Sequence, residues 1–446
     1  MIALVKSSSV SPARRVAFEI LLRVEDGAFS SVLLNSKTQE LSSADRGLVQ
    51  ELVMGTLRRQ LWLDRLTDLY SKRKSTDLDP AIRVILRLGL YQLRFLTRIP
   101  DSAAVNESVN LVKHARLRSA SGLVNAVLRR AAREREIDPA AHIDDPIERM
   151  SIVFSHPRWL IERWTEALGR TEAEKFAEAN NEPAPTAFRV VVNQANEPDV
   201  LAQLKEAGAD ILKSQIAEHA WRISGAMDVL ASLANAGKVY IQDEASQLVG
   251  ETIATGTDRT ILDLCAAPGS KATQIADLRP DSAVIAGDLY EHRLKTLVSS
   301  ARVQGLPNLY AVTLNALQAL PLPESSFDCV MVDAPCSGTG TLRRNPEIRW
   351  RISPADIDEL AVRQRRILQN AAKVVKPGGR LVYSTCSVER EENEVVRRSF
   401  LENNKSFEPA NLVVSGALAN SDGTVRTWPH REGTDGFYIA AFRRID

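Results

Sequence analysis

The sequence predicts an all-α N-terminal domain followed by an α/β domain of the doubly wound, Rossmann-like type, with a small α+β subdomain before the second. Through about residue 138 the apolar residues recur at helical spacing, whereas from Tyr240 onward short β-branched runs alternate with helical stretches. That alternation is typical of a parallel sheet covered by helices. At 446 residues the chain also exceeds one ordinary hydrophobic core, so we expect two or three domains.

The composition is that of a globular protein without membrane segments. Hydrophobic residues make up 44% and charged residues 25%, and no apolar run is long enough to span a bilayer. Residues 1–10 carry one lysine and a short polar stretch, which predicts no signal peptide. The four cysteines form no CxxC or Cys/His spacing, so we expect a cytoplasmic protein with reduced thiols, no metal site and no membrane partner.

Charge is divided unevenly along the chain, although its formal net value is +1. Residues 1–135 hold 23 Lys and Arg against 13 Asp and Glu, a net of +10, and the remainder holds 34 against 43, a net of −9. A basic module beside an acidic one predicts that the first module binds a polyanion. The alternative is a helical domain whose solvated face is rich in arginine, and charge alone does not decide between the two.

The first domain, which we place at residues 8–138, is predicted to be helical throughout. Amphipathic repeats mark helices near residues 16–24, 48–57, 81–93, 103–115 and 121–130. The last helix ends in a basic group that includes Arg129 and Arg130, which are candidates for RNA contact. The domain also carries the motifs Ser43-Ala-Asp-Arg46, Glu51-Leu-Val-Met-Gly55, Ile99-Pro100, Val105-Asn106-Glu107 and Val124-Asn125-Ala-Val-Leu-Arg129. These motifs resemble the NusB-like RNA-binding domain, and the resemblance implies contact with RNA.

A polar stretch at residues 136–146 contains a proline and suits a linker into a subdomain that we place at 139–238. In this subdomain the pattern predicts helices near 159–168, 171–180 and 198–207, and strands at 187–192 and around 221–224. We therefore expect a small α+β subdomain of an RNA-binding type.

The third domain, at residues 239–446, follows a strand–helix–strand rhythm. Strands are predicted at 260–265, 283–288, 308–314, 327–332 and 380–384, and helices from Lys271, at 293–304 and at 354–373. A last strand at 436–442 is expected at the edge of the sheet or as a hairpin partner. Because open α/β sheets bind ligands at the carboxyl ends of their strands, residues at those ends are functional candidates.

A loop of small residues follows the first of these strands and leads into a helix. It comprises Cys265, Ala266, Ala267, Pro268, Gly269, Ser270 and Lys271. Small residues let the backbone approach a ligand, and a helix N-terminus favours a carboxylate or a phosphate. The loop has neither GxGxxG spacing nor a Walker lysine, which disfavours NAD and nucleoside triphosphates. By itself it would equally suit an ordinary strand-to-helix turn.

Polar residues at the next two strand ends indicate the ligand class. Asp288 ends the second strand, where a carboxylate can accept both hydroxyls of a ribose. Asn315 follows the third strand, where an amide can address an adenine edge. Together with the loop, they predict an adenosyl ligand with a carboxylate tail, namely S-adenosylmethionine.

Two further strand ends carry thiols. Asp333-Ala-Pro-Cys336-Ser-Gly-Thr-Gly340 follows one strand, and Thr385-Cys386 ends another. Such thiols suit covalent catalysis on a pyrimidine, in which a thiolate adds to carbon-6 and makes carbon-5 nucleophilic enough to accept a methyl group. A base held in folded RNA must also leave its stack to reach such a pocket. Strand-end thiols that are merely buried are the alternative.

Four motifs resemble one family: Asp263-Leu-Cys-Ala-Ala-Pro-Gly-Ser-Lys271, Asp333-Ala-Pro-Cys336-Ser-Gly-Thr-Gly340, Arg344-Asn-Pro-Glu-Ile-Arg-Trp350 and Ser384-Thr-Cys386-Ser. They are similar to the successive motifs of RNA (cytosine-5) methyltransferases. With the NusB-like domain, the whole of residues 10–446 resembles the bacterial Sun/RsmB type, which methylates 16S ribosomal RNA. The resemblance implies S-adenosylmethionine as cofactor and ribosomal RNA, free or partly assembled, as partner of a monomeric enzyme.

The same resemblance implies roles for individual residues. Cys386 would be the nucleophile, Cys336 would assist product release, and Asp333 would be the acid partner of the ring and a further cofactor contact. The loop at residues 265–271, with Asp288 and Asn315, would hold the cofactor. Two interpretations of Lys271 stay open: it is a simple charge at the start of a helix, or it stabilises the thiolate.

Two departures from the family pattern affect the cofactor site. The family commonly has Gly where Ser270 stands and Asp where Asn315 stands. An asparagine carbonyl still accepts one hydrogen bond from an adenine amine, so we expect binding to persist but to be weaker. Separately, Arg343, Arg344 and Arg349 are expected to grip RNA phosphates, with a solvated loop as the alternative.

Two other functions are considered for the chain. A DNA cytosine methyltransferase would use a Pro-Cys nucleophile, and the second thiol at Cys386 and the NusB-like domain argue against it. A non-catalytic RNA-binding assembly factor would not need both thiols, Asp333 and the cofactor loop in one chain.

Overall fold

The computed structural model describes residues 10–414 and 418–446. The segment before Val10, on which the prediction of no signal peptide rests, lies outside the described residues. The α-helices are α1 (Pro12–Glu25), α2 (Ser30–Lys37), α3 (Ser43–Arg58), α4 (Gln60–Ser71), α5 (Pro80–Phe95), α6 (Asp101–His114), α7 (Ser121–Arg133), α8 (Pro146–Phe154), α9 (Arg158–Leu168), α10 (Arg170–Ala179), α11 (Glu197–Glu206), α12 (Met227–Asn235), α13 (Glu244–Ala254), α14 (Ser270–Leu278), α15 (Glu291–Val303), α16 (Ile348–Arg351), α17 (Pro354–Val374) and α18 (Glu394–Asn403). The strands are β1 (Thr186–Val190), β2 (Asp210–Lys213), β3 (Ala220–Ser224), β4 (Val239–Ile241), β5 (Thr260–Asp263), β6 (Ala283–Asp288), β7 (Leu309–Thr313), β8 (Phe327–Asp333), β9 (Val375–Thr385), β10 (Phe407–Ala410), β11 (Val425–Arg426) and β12 (Tyr438–Arg444).

The described residues divide into two compact units. The first unit extends to Pro183 and includes Leu342–Arg351, and the second comprises Ala184–Thr341 and Ile352–Asp446. Helices α8 to α10 therefore belong to the first unit, whereas the sequence analysis placed them in the subdomain at residues 139–238. None of the helices in the described part of the chain combines the length and the apolar composition that a membrane crossing needs.

The first unit is organised around α5, the most apolar helix of the predicted first domain. Asp79 caps its N-terminus, where the side chain accepts from the backbone N–H of Ala81, and Pro80 occupies the first turn. The helix buries residues on nearly all its faces against α1, α3, α4, α6 and α7. Its buried Arg87 is paired with Asp64 at 2.6 Å and Glu25 at 2.5 Å, which compensates the guanidinium for leaving water.

The second unit begins with a small antiparallel sheet of order β2-β3-β1-β4. Helices α11 and α12 accompany it, and Phe188, Val190, Leu204 and Leu230 lie in its apolar core. The prediction of a small α+β subdomain is confirmed in class, although the short strands β2 and β4 were not predicted. Strands β2 and β4 are each too short to show a clear alternation of apolar and polar residues.

The large sheet of the second unit has the order β10-β12-β9-β8-β5-β6-β7, and β11 pairs with β12. Strands β5 to β9 pair in parallel, as the alternation of strands and helices predicted. The last strand, β12, is not at an edge, because it lies antiparallel between β9 and β10. It also pairs antiparallel with β11, the strand directly before it, which agrees with the expectation of a hairpin partner. Its burial agrees, because Tyr438 to Phe442 are all buried.

Alternate residues of the parallel strands enter two separate apolar layers. Leu262, Val330 and Leu381 pack with residues of α17 and α18 on one face. Ile261, Met331 and Val382 pack with residues of α13 and α14 on the other. Helices on both faces make the sheet doubly wound, so the predicted fold class is confirmed.

Candidate active site

The polar strand ends that the sequence singled out lie along one edge of the parallel sheet. Because β5 pairs with both β6 and β8 in parallel, Asp263, Asp288 and Asp333 end strands that point the same way. Strand β9 is parallel to β8, and its Ser384 lies opposite Asp333 in register, two residues before Cys386. The carboxyl edge of the sheet thus gathers three carboxyl groups and the second thiol.

The two predicted catalytic thiols meet. The Sγ atoms of Cys336 and Cys386 are 3.2 Å apart, and both residues are only partly buried. The backbone N–H of Gly340 donates to the carbonyl of Cys386 at 2.9 Å, so the Pro-Cys loop is bonded directly to the Thr-Cys strand end. A Cβ at Gly340 would lie 2.0 Å from the carbonyl oxygen of Gly436, so only glycine permits this approach.

Asp333 is held between two donors beside the thiols. Its Oδ2 accepts from Lys271 Nζ at 2.7 Å, and its Oδ1 accepts from Ser384 Oγ at 2.8 Å. Burial acts to lower the pKa of Lys271, but the negative charge and hydrogen bond of Asp333, with contributions from Cys386 and Asp263, hold that pKa above its usual value. Lys271 therefore stays a cation within the site, and it is more than a solvated helix-start charge because it is buried.

The cofactor loop between β5 and α14 is shaped by its backbone. Gly269 has φ +114°, and a Cβ there would come within 2.7 Å of the Leu297 side chain. Asp288 is buried and ties the loop to the next strand, because its Oδ2 accepts from the N–H of Ala267 at 3.1 Å. Its other oxygen accepts from the N–H of Tyr290 at 3.1 Å. Ser270, where the family has glycine, begins α14.

Asp263 was quoted in a motif but was given no role, and the structure makes it prominent. It is almost completely buried, and its Oδ1 has no hydrogen-bond partner. Burial, reinforced by the nearby carboxylate of Asp333, raises the pKa of Asp263 to about 8. Burial also raises the pKa of the neighbouring Cys265 thiol, together with the charges of Asp263 and Asp333.

Asn315 is half-buried directly beyond β7, as predicted. Its Oδ1 accepts from the backbone N–H of Leu317 at 3.0 Å, which closes a local turn. The amide carbonyl has a second lone pair and the amide nitrogen has two donors, so the side chain keeps groups that can address a base edge.

The arginines expected to grip phosphates are placed in two different ways. Arg349 is completely buried in the first unit, where its guanidinium donates to the carbonyls of Ser155 and Asn180 and to the side chain of Asn181 at 2.9–3.1 Å. Arg343 is also buried there, and Arg344 is half-buried. Phosphates cannot reach Arg349 or Arg343, so the expectation of RNA contact for these two is corrected. Their donors serve backbone carbonyls instead.

The two candidate arginines at the basic end of α7 differ in exposure. Arg129 is exposed, whereas Arg130 is half-buried, lies over the Tyr70 ring and forms an ion pair with Glu134 at 3.0 Å. Arg129 is thus the freer of the two candidates for contact with RNA, and it stays a prediction.

Sequence reasoning missed a buried polar group behind the thiols. Glu392, Gln364 and Asn393 are all fully buried there, together with Ser337 and Ser387, which follow the two cysteines. The only local signal was the polar run after Cys386, which resembles a solvated turn when the fold is unknown.

Three family models match the chain. The NusB family matches residues 11–133, a RsmF/B-like ferredoxin-like domain matches 156–230, and the 16S rRNA methyltransferase RsmB/F family matches 251–443. A probable ribosomal RNA small subunit methyltransferase B of Bacillus subtilis is 36% identical, with 97% of this chain and 98% of that protein covered. The chain belongs to the RsmB family of ribosomal RNA small subunit methyltransferases.

Other similarities agree with this membership. Ribosomal RNA small subunit methyltransferase B of Klebsiella pneumoniae is 33% identical, with 94% of each chain covered. The solved structure of PH0851 is 28% identical with a TM-score of 0.84, covering 97% of this chain and 99% of that one. A methyltransferase homolog protein from Pyrococcus horikoshii has 28% identity and a TM-score of 0.60, covering 67% of this chain and 99% of that one.

Membership in the RsmB family confirms the predicted resemblance, including the NusB domain. It also confirms the coarse function, a methyltransferase for ribosomal RNA that depends on S-adenosylmethionine.

Proposed function

We propose that this RsmB-family member methylates carbon-5 of a cytosine in 16S ribosomal RNA through a covalent bond between Cys386 and carbon-6. The observation that carries the proposal is the 3.2 Å contact between the Sγ atoms of Cys336 and Cys386, beside the carboxylate of Asp333. Two thiols at one point are unnecessary for methylation of a nitrogen or a hydroxyl, because those atoms are nucleophilic by themselves. Carbon-5 of cytosine is not, and needs activation by a nucleophile at carbon-6.

The residues at the carboxyl edge of the sheet fit S-adenosylmethionine. Asp263 presents a buried carboxyl oxygen without a partner, which suits the cationic amine of the ligand's amino-acid tail. Asp288 at the end of β6 would accept from the ribose hydroxyls, the loop at residues 265–271 would approach the ligand with its backbone, and Asn315 would address the adenine. Asp333 ends the neighbouring strand β8 at the same edge of the sheet and would be a further cofactor contact. When bound, S-adenosylmethionine supplies an electrophilic methyl group.

Cys386 would open the reaction as the nucleophile. Its thiolate forms the Sγ–carbon-6 bond, and the electron pair of the carbon-5–carbon-6 double bond moves to carbon-5. The buried ammonium group of Lys271 contributes positive charge beside the thiol pair and Asp333. Asp333 keeps further lone pairs on its carboxylate, with which it can hold the exocyclic amine of cytosine.

Cys336 would act in the second stage. The hydrogen bond with Cys386 and then burial raise the pKa of Cys336 well above that of an ordinary thiol. Cys336 therefore holds its proton near neutral pH, beside the sulfur of Cys386. After methylation a base takes the carbon-5 proton, the double bond re-forms and the Sγ–carbon-6 bond breaks, with Cys336 assisting from beside that sulfur.

The remaining predictions complete the proposal. The modules at residues 8–138 and 139–238 would bind RNA, and the module at 239–446 would carry the chemistry. We propose a cytoplasmic monomer, with contact to RNA through Arg129, Arg130 and Arg344. A DNA methyltransferase is disfavoured by membership in a ribosomal RNA family, and a non-catalytic binding role is disfavoured because both thiols and Asp333 are assembled.

The cysteine roles are tested by trapping the covalent bond. Cys386→Ala should form no adduct with substrate RNA, because carbon-6 is not attacked. Cys336→Ala should form the bond and fail to release it, and should therefore accumulate a protein–RNA band on denaturing electrophoresis, with the RNA already methylated at carbon-5. RNA that carries 5-fluorocytosine should trap the unmodified enzyme, since fluorine does not leave as a proton does.

Cys329→Ala is the matched control, because Cys329 is buried in β8 and takes no part in the proposed chemistry. It should turn over unmodified substrate RNA without accumulating an adduct. An adduct that is lost in Cys336→Ala and kept in Cys386→Ala would move the nucleophile to the Pro-Cys loop. Full turnover by both variants would end the covalent hypothesis.

A further inference from the structure

One buried carboxylate lies behind the two thiols. Glu392 has no exposed surface. Its Oε1 accepts from the backbone N–H of Ser337 at 2.8 Å and from Gln364 Nε2 at 2.9 Å. Its Oε2 accepts from the hydroxyls of Ser337 and Ser387. Four hydrogen bonds from neutral groups compensate the carboxylate for leaving water.

The two serine donors are neighbours of the two cysteines in the sequence. Ser337 directly follows Cys336, and Ser387 directly follows Cys386. Their hydroxyl oxygens lie 3.0 Å apart. Glu392 is thus hydrogen-bonded to the neighbour of each thiol, although the two cysteines are 50 residues apart in sequence.

The carboxylate is itself held in place from two sides. Gln364 on α17 donates to Glu392 and also to the carbonyl of Pro335 at 2.9 Å, which fixes the start of the Pro-Cys loop. The Tyr383 hydroxyl of β9 donates to the backbone carbonyl of Glu392. Because its partners lie on a helix and a strand, Glu392 has little freedom to move. A residue held in this way can fix the positions of the loops to which it is bonded.

We propose that Glu392 is a positioning residue that sets the distance between the Cys336 and Cys386 thiols by bonding to the serine after each. For its effect on catalysis the inference rests on the proposed function, because only a reaction that uses both thiols in succession depends on their spacing. Glu392 does not contact the reacting atoms. Its contribution is the geometry of the two loops.

The chemistry of the four bonds distinguishes two substitutions. In Glu392→Gln, the amide oxygen can accept from the two N–H donors on the Oε1 side. The amide nitrogen can then donate to the serine hydroxyls, which can rotate to accept. The glutamine therefore can keep every bond. In Glu392→Asp, the chain is one methylene shorter and the carboxylate cannot reach both serines in their present positions.

The thiol distance can be measured without any methylation. The oxidant diamide joins two close thiols as a disulfide, taking up their two hydrogens as its nitrogen–nitrogen double bond is reduced. Peptide mapping would follow the rate at which Cys336 and Cys386 become linked in the full-length enzyme. We expect Glu392→Asp to link them more than about tenfold slower than the unmodified enzyme, because a displacement near 1 Å is enough for such a loss. Glu392→Gln should link them within about threefold of it.

Ser387→Ala provides a second and milder variant, since it removes only the bond on the Cys386 side. It too should slow the linkage. Glu394→Asp is the matched control, because Glu394 lies two residues away and its carboxylate pairs with Arg426 at 2.6 Å instead. The control should link its thiols at the unmodified rate.

Linkage at the unmodified rate in both Glu392→Asp and Ser387→Ala would overturn the inference. Slow linkage in both, with methylation slowed in parallel and restored in Glu392→Gln, is the expected result. Slow linkage with methylation unchanged would support Glu392 as the positioning residue and would instead overturn the proposed use of both thiols.

Discussion

At the scale of single residues, the ends of the parallel strands carry common polar residue types in an unusually buried environment. Asp263 is the sharpest case, because its unpartnered oxygen and its burial would be unfavourable in a purely structural role. A cationic ligand beside this carboxyl group would lower its pKa, so that the proton is released to solvent and the buried carboxylate is paired with the ligand. The same reasoning makes the affinity for the cofactor dependent on pH.

The pH dependence can be predicted from the pKa of about 8 for Asp263. Below that pH the free enzyme keeps the proton, and pairing with an ammonium group must release it, so affinity for S-adenosylmethionine should rise as pH increases from 6 towards 8. Above about 8 it should fall again, because the ligand's amino group, with an ordinary pKa near 7.7–8.0, loses its charge. Calorimetry at pH 6.5 in buffers of different ionisation enthalpy should detect close to one proton released on binding.

Asp263→Asn should bind more weakly and release no proton at pH 6.5, since an amide has none to give. Asp328→Asn is the matched control, because Asp328 also belongs to a strand of this sheet but pairs with Lys376 at 2.6 Å. It should keep the proton release. Unchanged proton release in Asp263→Asn would assign the linkage to another group.

At the scale of elements, the segment Leu342–Arg351 has an unexpected role. Its sequence is basic and suggested an RNA-binding loop, but it belongs to the first compact unit. Glu347 accepts from the N–H and hydroxyl of Ser30 at the start of α2, at 2.8 and 2.9 Å, and so caps that helix. Arg351 donates to the carbonyls that end α1, including Val24 at 2.8 Å. Charged side chains of this segment satisfy helix ends.

Arg349 should therefore be a stability residue. Arg349→Ala leaves the carbonyls of Ser155 and Asn180 buried without a donor. Each such loss costs about 1–3 kcal/mol, so we expect the free energy of unfolding to decrease by about 2–6 kcal/mol. Denaturant titration would measure it. Arg129→Ala, on an exposed side chain of the same unit, should change the free energy of unfolding by less than about 0.5 kcal/mol. Equal stability of the two variants would contradict the structural role.

At the scale of the whole molecule, the uneven charge is the feature that bears on RNA. Residues 1–135 have a net charge of +10 and include most of the NusB match at residues 11–133. Part of that charge is used internally, as Arg87 shows with its two carboxylate partners. What remains exposed, such as Arg129, is available to phosphates.

Affinity for ribosomal RNA should accordingly decrease steeply with salt. Arg129→Ala should weaken binding and reduce the slope of log affinity against log salt by about 1 if the side chain neutralises one phosphate. Arg363→Ala on α17 is the control, because that exposed arginine is paired with Glu359. It should leave the slope unchanged, as measured by filter binding across a salt series. The same slope for both variants would make the basic end of α7 a solvated face.

Much of the fold was available from the sequence, because helix and strand periodicity are local properties. The strands at residues 283–288 and 327–332 and the helix at 354–373 were placed within about one residue of β6, β8 and α17. Short strands such as β2 and β4 were missed, since their few residues carry no period. Strand β12 was found, and its pairing with the preceding strand β11 agrees with a hairpin, but its place between β9 and β10 was not predicted because pairing partners are not encoded in the strand itself.

The sequence by itself determined the family of this protein and the groups at its strand ends, namely small-residue and Pro-Cys loops and two thiols. Only the tertiary structure decided which of these groups meet and which polar residues lie beside them. Glu392 and Ser337 are 55 residues apart and meet through a hydrogen bond of 2.8 Å, while Arg349 is withdrawn from solvent by carbonyls of residues 155 and 180. Burial and partnership of this kind arise from contacts between distant segments, and a local pattern of residue types does not specify them.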